Sequence, residues 1–222
     1  MVQPRPRGRR ARQPAPRRLA RLGRAPLTAR RTARILVVCT GNICRSPYIE
    51  RRLRAALADR AVEVRSAGTG AVVGWPMSPE SAARLVRAGG DPAGFAARQL
   101  SVGMLRRADL VVTAARAHVA FVTALAPEVA ERTITLRDLA VLLGIPPPTT
   151  TGAPTTPTDD RRPLHDLRTR MALGAPLLCG RSARDADIVD PYQRPARVWD
   201  TMAAQVEAAL EVVVPAVRAA LA

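Results

Sequence analysis

The sequence predicts an α/β protein: a three-layer, doubly wound, four-stranded parallel sheet with helices on both faces and a short loop after the first strand. Three observations carry that prediction. Ile35-Leu36-Val37-Val38 is a run of four aliphatic residues, the pattern of a parallel strand covered on both faces rather than of a strand with one wet side. Short aliphatic runs then alternate with amphipathic ones, and parallel strands need helical crossovers of right-handed sense. Finally, the first run is followed by a short loop and by Pro47, whose fixed φ and missing N–H suit the first turn of a helix. Such a loop lies at the carboxyl end of a strand and faces unpaired N–H groups and the positive end of a helix dipole.

The elements follow in order. Residues 47–59 place Ile49, Leu53, Ala56 and Leu57 on one helical face. Residues 62–66 read as a second strand that turns out through Ser66-Ala67-Gly68-Thr69, and Ser78-Pro79-Glu80 opens a helix stopped by Gly89-Gly90. Residues 108–113 make a third strand, 115–125 a helix, 133–136 a fourth strand and 137–143 a short helix. Residues 144–183 interrupt the pattern with Pro146-Pro147-Pro148 and a Thr/Pro tract, which reads as an insertion, disordered over about 146–162 and weakly helical from Pro163 to Leu173. A long amphipathic helix over 194–221 closes the chain, with Pro215 as a candidate kink.

Composition sets the bounds. A chain of 222 residues with 47% hydrophobic content can bury one full core. Its 35 basic residues are all arginine, and residues 1–34 hold 12 of them with no acid, leaving 23 against 18 acids, a net +5, for the rest. Residues 1–33 therefore read as a disordered Arg/Pro-rich tail and residues 34–222 as the folded domain. A weak anionic partner is the functional reading of the tail. A solvated extension is favoured over it, and no aromatic residue interleaves with the arginines to stack on bases. Three cysteines make no disulfide framework, no apolar run is long enough to span a bilayer, and a cytoplasmic, soluble protein is expected.

The chemistry concentrates in Cys39-Thr40-Gly41-Asn42-Ile43-Cys44-Arg45-Ser46-Pro47. Cys39 ends the strand and Arg45 follows six residues later, so the loop between them can curl round a tetrahedral anion with both side chains on it. Arg45 offers a planar fork for two oxygens, and Gly41 is expected to supply the tight backbone turn. The cationic, amide-rich surroundings favour the thiolate of Cys39, so the loop both binds an anion and attacks it. Thr40, Gly41, Asn42, Ile43, Cys44, Arg45 and Ser46 are the expected phosphate-binding residues. Cleaving a phosphate ester also calls for an acid on the leaving group, and Asp190-Pro191-Tyr192 offers a carboxyl on a proline-stiffened loop. Asp91-Pro92 is the rival, read as a turn residue. His118 and His165 stand alone, read as surface or core histidines, and neither a metal-binding cluster nor a cofactor motif occurs.

The string from Cys39 to Pro47 resembles the signature of the low-molecular-weight protein tyrosine phosphatases, and Ser66–Thr69, Ala97-Arg98-Gln99-Leu100 and Asp190-Pro191-Tyr192 resemble further landmarks of that family. The resemblance implies a metal-independent hydrolysis of phosphotyrosine in protein substrates through a phosphocysteine intermediate. Cys39 would be the nucleophile and Arg45 the anion clamp, while Asp190 would donate a proton and then activate water. Ser46 would hydrogen-bond the sulfur, Asn42 would hold the curl, and Cys44 would form a reversible disulfide with Cys39. Three departures touch the pocket: an aromatic wall after Ser66–Thr69 is missing, with Trp75 as a substitute, Phe95 stands where a loop-bracing His is common, and Gln193 follows the single Tyr192. The alternatives are a phosphoarginine phosphatase, against which Ile43 argues, a thiol-dependent arsenate reductase, which needs two further paired cysteines where only Cys179 is left, and a non-catalytic anion-binding protein.

Overall fold

The computed structural model describes residues 31–145 and 164–222. The expected tail, save its last three residues, and the expected disordered stretch of the insertion lie outside the described residues. Four parallel strands form one sheet in the order β2-β1-β3-β4: β1 is Ala33–Cys39, β2 Val62–Gly68, β3 Leu110–Thr113 and β4 Thr133–Thr135. The order reverses beside β1, because the chain steps outward to β2 and then returns past β1 to β3. The carboxyl end of β1 therefore opens at the crevice where sheets of this kind bind ligands.

The aliphatic run is explained by what covers it. Ile35, Val37 and Cys39 face one core together with Val64, Leu110, Val112 and Ile134, while Leu36 and Val38 face the other with Ala67 and Val111. Side chains alternate across a strand, so burying both faces requires an apolar residue at every position. The larger core is closed by α1 (Arg45–Ala56), α2 (Pro79–Arg87), α5 (Leu136–Gly144), α6 (His165–Gly174) and α8 (Ala196–Ala220). The smaller is closed by α3 (Val102–Arg107), α4 (Arg116–Leu125) and a 3-10 stretch, Pro127–Arg132. A last short helix, α7 (Ala183–Ala186), leads into the segment before α8.

Several boundaries differ from expectation. Helix α1 begins at Arg45, two residues before Pro47, so the proline occupies its third position, where its missing N–H costs nothing. The third strand loses Ala108, which instead ends α3, an element of six residues that is too short to show helical periodicity and is started by Ser101, whose side chain accepts from Met104 N–H. Helix α6 does form, and it is no loose appendage. Leu164, Leu167 and Met171 join the main core, and a Cβ at Gly174 would stand 2.6 Å from the Leu142 side chain on α5. Helix α8 runs through Pro215, which lies on its exposed side, while Trp199, Met202, Val206, Ala209, Leu210, Val213 and Val217 form the buried stripe. No helix among the described residues is long and apolar enough to cross a membrane.

Candidate active site

Cys39 is the last residue of β1, and the chain then curls through residues 40–44 into α1. The carbonyls of this loop are turned outward and held by neighbours. Thr69 N–H donates to Cys39 O at 2.9 Å, Gly70 N–H to Thr40 O at 3.1 Å, Val72 N–H to Gly41 O at 3.1 Å, and Ser78 N–H to Ile43 O at 2.8 Å. The Ser81 hydroxyl takes Cys44 O at 3.0 Å. The N–H groups of residues 41–45, by contrast, find no acceptor among the described residues. A peptide chain with its carbonyls outside and its N–H groups inside is a cradle for an oxyanion, reinforced by the N-terminus of α1.

The curl does not come from Gly41, as expected. A Cβ at Gly41 would meet Ile43 at an ordinary 3.5 Å, and the backbone there is not left-handed. Asn42 takes the left-handed conformation, at φ 54°, which asparagine tolerates better than other side-chain-bearing residues. Its fully buried side chain then makes three bonds: Nδ2 donates to Ser46 Oγ and to Ser66 Oγ, each at 2.8 Å, and Oδ1 accepts from Arg98 N–H at 2.8 Å. Ser66 Oγ donates in turn to the buried Glu50 at 2.5 Å, and Glu50 pairs with Arg54 at 3.5 Å. The hydrogen-bonded chain ends at the expected nucleophile, since Ser46 Oγ lies 2.9 Å from Cys39 Sγ. Glycine is required elsewhere. Gly68 closes β2 so tightly against the loop that a Cβ there would stand 2.3 Å from Thr40 O.

Arg45 is 6% exposed and reaches across the loop to Asp190, with Nη2 2.7 Å from Oδ2. Its Nε is buried with no partner among the described residues. The Asp190 side chain is 54% exposed at the mouth of the same cavity. The backbone beside it is tied down. Ile188 N–H donates to Ala114 O at 2.8 Å, Val189 N–H to Gln205 Oε1 at 2.8 Å, and Arg137 donates to Asp187 O at 3.0 Å. Asp187 Oδ1 accepts from Arg116 N–H at 2.8 Å, at the start of α4, where the helix dipole favours a carboxylate.

Cys39, Arg45 and Asp190, the three expected catalytic residues, line one cavity of about 240 Å³ with Thr40, Gly41, Ile43 and Cys44. Asn42 and Ser46 stand behind the loop, where they shape it without facing the cavity. The remaining wall is Gly70, Val72 and Tyr192, not Trp75, which points away at 62% exposed. Phe95 does not brace the loop as a histidine would; it is buried under the guanidinium groups of Arg51 and Arg98, 5.7 and 5.8 Å from the ring centre. Burial pushes the Cys44 thiol up to about 11 despite a contact from Ser78, so it stays protonated near neutral pH, and both Cys39 and Cys44 are free thiols. Asp91 accepts from Ala93 N–H and shapes a turn. A larger hollow of about 470 Å³ lies between α1 and β2, but its lining includes no nucleophile, and Glu50 and Glu63 there are already paired with Arg54 and Arg65.

One residue of the site escaped the sequence. His118, on α4, is buried and its Nε2 lies 3.0 Å from Thr40 Oγ1. Burial, with Arg45 nearby, pushes its pKa down to about 4. Seventy-eight residues separate the pair. No local pattern could have joined them.

The sequence model of the family described as low molecular weight phosphotyrosine protein phosphatase matches residues 34–155. Among relatives, the Escherichia coli K12 "low molecular weight protein-tyrosine-phosphatase Etp" is 45% identical over 100 residues, covering 45% of this chain and 66% of Etp. The Erwinia amylovora "probable low molecular weight protein-tyrosine-phosphatase AmsI" is 38% identical over 100 residues, covering 45% of this chain and 68% of AmsI. The chain thus spans just under two thirds of Etp, and about half of the Ralstonia solanacearum relative EpsP. Of the solved structures, the Erwinia amylovora tyrosine phosphatase AmsI superposes with a TM-score of 0.60 at 25% identity, covering 83% of this chain and 93% of AmsI. An arginine phosphatase from Geobacillus stearothermophilus, YwlE, shares the fold with the same TM-score at 23% identity, over 84% of this chain and 94% of YwlE.

Proposed function

Since this chain belongs to the low molecular weight phosphotyrosine protein phosphatase family, we propose that it hydrolyses phosphotyrosine in protein substrates without a metal, through a phosphocysteine intermediate. The observation that carries the reading is the convergence of Cys39, Arg45 and Asp190 on one cavity floored by outward-turned carbonyls and inward-turned N–H groups. The phosphoryl oxygens sit on the N–H groups of residues 41–45 and on Arg45, whose unpartnered Nε and neighbouring Nη form the fork. The thiolate of Cys39 attacks phosphorus as the P–O bond to the tyrosyl oxygen breaks, and Asp190, entering as the acid, gives that oxygen its proton. The carboxylate left behind takes a proton from water as it attacks phosphorus, and the sulfur leaves as a thiolate stabilised by the Ser46 hydroxyl. Because the cradle is complementary to a trigonal, charge-dispersed phosphoryl group, it stabilises the transition state of both steps.

Val72 and Tyr192 beside the mouth suit an aryl leaving group, and Ile43 gives the loop an apolar edge in place of a polar one. That edge favours phosphotyrosine over phosphoarginine. The domain runs from residue 34 to 222 with an added segment at about 144–183, after a basic tail at 1–33. A free thiol nucleophile also fits the reducing cytoplasm.

Hydrolysis of an aryl phosphate in the presence of a chelator tests the proposal. Cys39→Ser is expected to abolish turnover, and Asp190→Ala to lose roughly 10²- to 10⁴-fold on a poor leaving group. Equal rates for wild type and both variants would remove the enzyme assignment.

A further inference from the structure

His118 is a buried titratable group that the mechanism above does not use. It is 6% exposed, its Nε2 touches Thr40 Oγ1 at 3.0 Å, and its Nδ1 is buried with no partner among the described residues. That pairing fixes the tautomer. If the proton were on Nδ1, the protein would hold a buried N–H donor with nothing to receive it, whereas a proton on Nε2 leaves only a bare lone pair on Nδ1. Orphaned buried N–H groups are the rarer and costlier of the two. The imidazole is neutral as well, because burial and Arg45 both oppose its charging.

A neutral ring with its proton on Nε2 donates to Thr40 Oγ1. The hydroxyl is then an acceptor toward His118, and its own proton must point elsewhere. Thr40 is an exposed residue on the wall of the cavity that holds Cys39, Arg45 and Asp190, and its side chain has no other hydrogen-bond partner among the described residues. We propose that His118 is a positioning residue that aims the Thr40 hydroxyl into the cavity, making it an additional hydrogen-bond donor to the phosphoryl oxygens of the substrate. A threonine without that constraint rotates about χ1 and divides its proton between solvent and site. The backbone cradle comes from a stretch of eight contiguous residues, but this donor depends on α4, from the opposite face of the sheet.

The proposal rests on the phosphatase reading, and two readouts keep them separate. Turnover of an aryl phosphate by the wild type judges the reading. Binding of inorganic phosphate, measured by calorimetry without turnover, judges Thr40 and His118. Thr40→Val is expected to weaken phosphate roughly 5- to 10-fold, the worth of one hydrogen bond, while Thr40→Ser stays within about twofold. The matching loss in hydrolysis falls on KM and not on kcat. His118→Leu reproduces the Thr40→Val defect, His118→Gln restores binding to within about twofold through its amide N–H, and the double variant Thr40→Val/His118→Leu is no worse than either single change. Phosphate binding to Thr40→Val with wild-type affinity would overturn the proposal whether or not the histidine variants fold. So would a double variant whose loss equals the product of the two single losses, or a glutamine variant no better than leucine.

Discussion

The loop of residues 39–46 and the loop of residues 187–193 meet at one cavity, yet they are held there by different means. The first is a local structure, in which eight consecutive residues carry the proposed nucleophile and the proposed anion clamp. Its shape is locked from behind by Asn42, Ser46, Ser66 and Glu50, all of them buried. The second contributes one carboxyl, on a half-exposed side chain that meets Arg45 from 145 residues away. It is fixed by single bonds to four separate elements: Ala114 after β3, Arg116 at the start of α4, Arg137 on α5 and Gln205 on α8. In the proposed mechanism the attacking sulfur and the cradle that must match a transition state gain from rigidity, because preorganised dipoles do not reorient during reaction. The proposed proton donor serves twice, first as acid and then as base, and must also exchange its proton with water. Exposure suits it.

Substitutions can break this contrast, and the largest effect is expected where the loop touches β2. Gly68→Ala sets a Cβ against Thr40 O, a backbone atom that can move only with the loop, so about 3 kcal/mol of stability should be lost together with turnover of every substrate. A variant with wild-type denaturation midpoint and activity would show that the loop is softer than described. An effect of similar size is expected from pH. Folding holds the pKa of His118 down at about 4 against 6.5 when free, so the unfolded chain binds a proton that the folded chain refuses. The stability from this group is complete above pH 6.5 and is lost, by up to about 3 kcal/mol, as pH falls from 6.5 to 4. The charges facing His118 are Arg45, Asp187 and Asp190. His118→Gln should flatten that part of a denaturation-against-pH curve; an identical acid limb in the variant would assign the loss to other groups.

Asn42→Ala removes three buried bonds and is expected to cost about 2 kcal/mol, with aryl phosphates of good and poor leaving group losing rate by one common factor. Asp187→Ala should behave differently. It removes a contact at the start of α4, worth about 1 kcal/mol, and loosens only the acid loop, so the rate should fall roughly tenfold on poor leaving groups and hardly at all on good ones. A leaving-group dependence shared by both variants would erase the distinction between the two loops. The smallest effect belongs to Gly41→Ala, within about 0.5 kcal/mol in a thermal melt, since its Cβ would meet only ordinary contacts.

Much of this arrangement is legible in the chain because it is local. Alternation of residues 35–38 between two cores makes the run wholly apolar, and the six-residue offset from Cys39 to Arg45 lies within one turn of chain, so strand, loop and helix announce themselves together. Where the signal is short it fails: six-residue α3 leaves no periodic pattern, and the apolar Ala108 reads as part of a strand that starts only at Leu110. Asn42, expected by resemblance to hold the curl, also makes the left-handed turn expected of Gly41, because a glycine advertises conformational freedom whether or not the fold uses it, whereas an asparagine at φ 54° is shown only by the structure. The pocket wall followed the same logic. Trp75 was the conspicuous aromatic, yet Val72 lies on the cavity because its own N–H is tied to Gly41 O.

By itself, then, the sequence determined the parallel sheet, the place of the loop at its crevice and the types of the reacting groups, since each follows from residues within hydrogen-bonding or helical reach of one another along the chain. Tertiary structure alone decided that Asp190, which the sequence already names, meets Arg45 at 2.7 Å, which glycine cannot be replaced, and that a histidine from the far side of the sheet hydrogen-bonds Thr40. Those choices depend on how β2, α4 and the segment before α8 pack against β1, and packing brings together residues whose separation in the chain carries no record of the contact.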